Sequence, residues 1–114
     1  MKKFLIIIFI IYSCKTPDVS EMNSIIIFDK AQKYFEVLLY DKAISYYKAF
    51  INTYPKEKYP NEYLEAKYNI GLIRLKQLKK NKAKKVFQDV IKETAELSAE
   101  DTFSTLAKLK LEKI

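Results

Sequence analysis

Two stretches decide the fold: AQKYFEVLLYDKAISYYKAF at 31–50 and GLIRLKQLKKNKAKKVFQDV at 71–90. A small residue opens each (Ala31, Gly71). An alanine follows twelve positions later (Ala43, Ala83), and an aromatic four positions after that (Tyr47, Phe87). Tyr34 and Pro55 complete the first copy, whereas Arg74 stands in the place of Tyr34 in the second. Residues four apart share one face of a helix, and twelve positions allow one helix to end and the next to begin. Short side chains at Ala31, Gly71, Ala43 and Ala83 let antiparallel helices approach closely, and Tyr47 and Phe87 fill the remaining wedge. The plainer alternative is two amphipathic hairpins whose alanine spacing coincides.

Outward from this skeleton the apolar positions keep a helical period. Phe28, Ala31, Phe35, Leu38 and Leu39 predict a helix from about Ile25 to Leu39, followed by a turn with Asp41 as N-cap. Ala43, Ile44, Tyr47, Phe50 and Ile51 predict a second helix to about Thr53. It is stopped at Tyr54-Pro55, because the residue before proline leaves the α region. PKEKYPN at 55–61 is the longest internal break, and Pro60 suits the first turn of a third helix reaching about Leu78. KKNK at 79–82 reads as a turn. Ala83, Val86, Phe87, Val90 and Ile91 mark a fourth helix, and Phe103, Leu106, Ala107 and Leu111 a fifth, with Ser98-x-x-Asp101 resembling a capping box. The expected fold is all-α, about five helices or two and a half repeats, with no strand.

Composition narrows the chemistry. The chain has 114 residues, one Gly, three Pro, no His and a single Cys, Cys14. It is one domain at most. Without His there is no imidazole acid–base chemistry and no zinc site of the His/Cys type. Asp29, Glu36, Glu65, Asp89 and Glu93 are scattered over helix faces rather than paired in an apolar pocket. With no Gly-rich phosphate loop either, an enzyme is not expected, and neither cofactor nor metal. The formal charge of +7 permits contact with anionic lipid or acidic partners. The basic residues are spread over helices without a nucleic-acid module, so no nucleic acid is expected.

The N-terminus reads as a targeting segment. Lys2 and Lys3 precede an unbroken apolar run from Phe4 to Tyr12, too short to span a bilayer, which takes about 20 residues, but suited to a signal peptide. Ile11-Tyr12-Ser13-Cys14 resembles the lipobox of bacterial lipoproteins. The resemblance implies cleavage after Ser13 and a covalent diacylglyceryl group and N-acyl chain (palmitate-type) on Cys14, the lipidation site. Removing 1–13 leaves 19 basic against 14 acidic residues. KTPDVSEMNS at 15–24 reads as a short flexible tether. The expected organisation is therefore signal peptide 1–13, lipidated tether 14–24 and helical domain 25–114.

The doubled skeleton resembles the tetratricopeptide repeat (TPR), W-x2-L-G-x2-Y…A-x3-F…P over about 34 residues. Ile27 and Lys67 stand at the Trp-type position, and the spacing Ala43 to Ala83 is 40 residues. The resemblance implies a helical-hairpin solenoid whose last half-repeat caps the preceding pair. It also implies a concave groove lined by Phe28, Gln32, Phe35 and Glu36, then Tyr68, Leu72, Leu75 and Lys76. Phe28, Phe35, Tyr68, Leu72 and Leu75 form an apolar strip, either open to a peptide or covered by the tether or the last helix.

A lipobox cysteine, a polar tether and TPR-like repeats with an aromatic-Pro ending are together similar to the N-terminal half of the BamD family. These are lipoprotein subunits of the outer-membrane β-barrel assembly machinery (the BAM complex). That resemblance implies a protein-binding adaptor at the outer membrane, lipid-anchored on the periplasmic face, with a BamA-type partner. Family members carry about five repeats, so a BamA contact here needs another surface or subunit. Other envelope TPR lipoproteins, such as a secretin pilotin or a cell-division coordinator, and a surface-exposed binding lipoprotein are the alternatives.

Overall fold

The computed structural model describes residues 16–114. The signal peptide expected at 1–13 and the lipidation site Cys14 lie outside the described residues. Five helices follow in order: α1 Ser24–Glu36, α2 Tyr40–Thr53, α3 Pro60–Lys76, α4 Lys80–Glu96 and α5 Thr102–Lys113. No strand occurs among the described residues. The helices stack as hairpins α1/α2 and α3/α4, with α5 laid on the second pair, in a body measuring 53 × 32 × 23 Å.

Helix starts and stops have local causes. The Asn23 side chain accepts from the Ile26 N–H at 3.0 Å and caps α1. Pro60 opens α3 in its first turn, where its missing N–H costs no helical bond. Tyr54 ends α2 in an extended conformation before Pro55 (φ −107°, ψ 125°). Two expected caps are corrected. Asp41 lies inside the first turn of α2, whose N-cap is Leu39 without a side-chain bond. Its carboxylate instead accepts from Gln77 Nε2 across the repeat at 3.3 Å. Ser98-x-x-Asp101 is no capping box: Asp101 is the N-cap of α5 but makes no side-chain capping bond.

Three helix ends share one geometry. Leu38, Leu78 and Ser98 adopt left-handed φ of 65°, 62° and 50°. Behind each, two backbone bonds close the turn: Leu38 N–H to Phe35 O and Leu39 N–H to Tyr34 O, then Leu78 to Leu75 and Lys79 to Arg74, then Ser98 to Ala95 and Ala99 to Thr94. This is the Schellman ending, usually made with glycine. It shortens the first helix, expected to reach Leu39, to Glu36. It also places Lys80–Lys82, expected as turn, in the first turn of α4.

The core is built from the doubled skeleton. Ala31, Ala43, Ala83 and Phe87 are fully buried, and Tyr47 nearly so. One cluster joins Ile27, Ala31, Ala43, Ile44, Tyr47 and Phe50 to Ala66, Ile70 and Ile73 of α3. The other joins Leu64, Tyr68, Ala83, Phe87 and Val90 to Ala107 of α5. Burying each large side chain is worth about 1.5–3 kcal/mol. The repeat extends to ring geometry. Phe28 and Tyr47 lie 5.4 Å apart at 56°, and the rings 40 positions on, Tyr68 and Phe87, lie 5.6 Å apart at 49°. Tyr34 stacks on Tyr46 at 5.5 Å.

The expected flexible tether is ordered within its described part. Val19 is 1% exposed and belongs to the first core cluster. The Met22 N–H bonds to Val19 O at 3.0 Å, and the Tyr54 hydroxyl donates to Met22 O. The apolar Val19 gives this segment something to bury, and Tyr54 satisfies its backbone.

Candidate peptide groove

The eight groove positions divide by what α2 and α5 do to them. Phe28 turns toward its own hairpin, packing on Tyr47 and edge-on to Phe50 at 5.2 Å. Tyr68 is buried, held between Phe87 and Phe103 of α5, the latter ring 5.8 Å away. It is therefore a core residue: the last helix covers the expected strip at Tyr68. Leu75 is half-buried in the same cluster. Glu36 and Lys76 are exposed at the ends of α1 and α3. The remaining three, Gln32, Phe35 and Leu72, meet at one place. They line a shallow cleft between α1 and α3 with Tyr47, Asn69 and Ile73.

This cleft offers an apolar floor with polar edges. Phe35 and Leu72 are half-buried, and Phe35 leans on Tyr40 at 5.7 Å. Gln32, whose amide is 3.4 Å from Glu36 Oε1, and Asn69 supply amide donors and acceptors. Burial, and then the nearby negative charge of Glu65, push the Tyr47 hydroxyl up to about 12. Tyr47 thus stays neutral and available as a donor. Burial, followed by the neighbouring Glu62, raises the Glu65 carboxyl above its ordinary range. An extended chain has unpaired backbone amides and alternating side chains, which such a surface matches. Among the described residues no group of acidic or Cys side chains is arranged to hold a metal ion. No described helix is long and apolar enough to cross a membrane.

A second constellation was not foreseen. Lys67 Nζ lies 2.6 Å from Glu93 Oε1 and 3.7 Å from Asp89 Oδ2. Tyr63 donates to Glu93 Oε2 at 2.5 Å, and Lys56 lies 3.5 Å from the same oxygen. Burial alone would raise the Glu93 carboxyl. Lys67 and the Tyr63 hydroxyl outweigh it and hold Glu93 below the usual carboxylate range. Burial and the Glu93 bond raise the Tyr63 phenol. A signal for this pairing existed. Forty positions earlier, Lys67, Asp89 and Glu93 correspond to Ile27, Ala49 and Thr53. Where the first repeat buries Ile27, the second exchanges the whole set for an ion-pair clamp between α3 and α4.

Comparison with known proteins agrees with the geometry. The family model for the tetratricopeptide repeat matches residues 34–57 and again 65–93. Neither the curated proteins nor the solved structures show a match to the chain. Each matched span begins in the first helix of a hairpin and takes in most of the second. The chain carries tetratricopeptide repeats, folded as a helical-hairpin solenoid.

Proposed function

We propose that this protein is a lipid-anchored adaptor of the bacterial envelope, tethered through Cys14, that holds an extended segment of another protein in the α1–α3 cleft. TPR domains bind protein partners in general. The observation that carries the reading is the convergence of Gln32, Phe35 and Leu72 on one cleft with Tyr47 and Asn69. The lipobox-like Ile11-Tyr12-Ser13-Cys14 supports the anchor. The combination supports an accessory role in outer-membrane protein assembly, on the periplasmic face, with a BamA-type partner or its unfolded substrate. The role is one of binding, not catalysis. The test is crosslinking in cells, followed by lipid-intact purification and mass spectrometry. Recovery of a BamA-type barrel protein sustains the proposal, whereas recovery of a secretin reassigns the adaptor. Loss of the protein on protease shaving of intact cells would move it to the outer surface. Metabolic labelling with a palmitate analogue tests the anchor: the label should enter wild-type protein and not Cys14→Ser.

A further inference from the structure

The two hairpin turns carry side chains that the fold does not require. Leu38 and Leu78 occupy corresponding positions 40 residues apart, both in the left-handed conformation that glycine adopts without cost. Both point outward, Leu38 69% and Leu78 86% exposed, with Val37 and Leu39 also exposed beside the first. A left-handed leucine in water gains nothing from burial and is strained in its backbone. That it occurs at both turns indicates a use outside the core.

The turns form one edge. Gln77, beside Leu78, donates to Asp41, beside the first turn, at 3.3 Å. The opposite edge is likewise joined, by Lys56 and Glu93. The two edges differ in charge. Residues 36–42 and 76–82 contain five lysines and two acidic residues. Residues 56–62 and 93–101, on the opposite edge, contain two lysines and six acidic residues. Lys42, Lys76, Lys79, Lys80 and Lys82 are all exposed. Exposed leucines within a ring of lysines match the boundary of an anionic bilayer, where apolar side chains reach the acyl region and ammonium groups meet phosphates.

We propose that the edge formed by the α1–α2 and α3–α4 turns docks on an anionic lipid surface, inserting Leu38, Leu39 and Leu78 with the surrounding lysines over the headgroups. This contact is separate from the anchor at Cys14.

The test is made on the full chain in a Cys14→Ser background, so that each introduced thiol is unique. A spin label is placed at Leu78→Cys or, on the opposite edge, at Glu57→Cys, and the protein is mixed with phosphatidylglycerol or phosphatidylcholine vesicles. Whatever residues 1–15 add to partitioning, the label reports orientation. The expected result is that the label at 78 becomes shielded from a water-soluble relaxant and open to a lipid-soluble one, with phosphatidylglycerol only. The label at 57 should stay in water. A label at 78 that stays in water, a label at 57 that inserts, or shielding at 78 without vesicles (contact with a second copy) overturns the proposal. The double variant Leu38→Gly, Leu78→Gly should bind phosphatidylglycerol vesicles about tenfold less tightly. Because glycine suits both turns, weaker binding cannot be blamed on unfolding, and undiminished binding also overturns the proposal.

Discussion

Gly71 and the ring of Phe87 claim the same space. A Cβ built on Gly71 would stand 2.6 Å from Phe87 Cε1 and 2.9 Å from Cζ, closer than carbon atoms tolerate. In the first repeat Ala31 holds the corresponding place, fully buried. The chain's single glycine is therefore set by close approach of α3 and α4, not by a turn.

Gly71→Ala should displace Phe87 and destabilise the second hairpin. Overpacking costs about 1–3 kcal/mol, partly offset by the gain of roughly 1 kcal/mol in helix propensity. Ala83→Leu has no such offset and should lower the melting temperature clearly. Lys84→Leu, one residue away and exposed, should leave it nearly unchanged. Thermal unfolding followed by circular dichroism checks all three, and equal effects at 83 and 84 would remove the packing argument.

The turns predict the opposite sign. Leucine in the left-handed region costs roughly 1–2 kcal/mol, and glycine returns part of the gain through its unfolded-state entropy, roughly 0.5–1 kcal/mol. Leu38→Gly and Leu78→Gly should each raise the urea midpoint, by up to about 1 kcal/mol of stability.

The Glu93 clamp makes stability depend on pH in a defined direction. Lys67 and Tyr63 hold the Glu93 carboxyl below its unfolded value. Its contribution is thus complete above the unfolded carboxylate range, near pH 4.5, and is lost as pH falls through the lower folded value. Glu93→Gln should cost about 1–3 kcal/mol at neutral pH by leaving Lys67 without its closest partner. It should also flatten the acid limb of the stability profile. A wild-type and a Glu93→Gln profile that run parallel from pH 7 to 3 would argue against the clamp.

For the cleft, position decides contact with a partner. A photo-crosslinking residue at Asn69 or Leu72 should trap protein partners in membranes. The same residue at Lys84, on the exposed face of α4, should not. Equal yields from these sites would mean that the cleft is not the binding surface.

The helices, their hairpin order and the 40-residue repeat are legible in the sequence alone. Ala31, Ala43, Gly71 and Ala83 recur at fixed spacing, and such spacing follows from helix geometry within one short stretch of chain. The same reasoning found both turns but placed them a few residues late, because Leu38 and Leu78 lack the glycine that marks a left-handed residue. It also read Val19 as part of a polar tether. Nothing local shows that a lone valine will reach a core formed by α1, α2 and α3. The groove was only half legible. Period placed Tyr68 on the same face as Leu72, but whether that face meets solvent depends on Phe103, thirty-five residues later. Lys67 took its meaning only when Asp89 and Glu93 were brought opposite it. Pattern along the chain specifies which side of a helix is apolar. What lies across from that side, and hence which residues become core, clamp or open surface, depends on the stacking of one hairpin on the next.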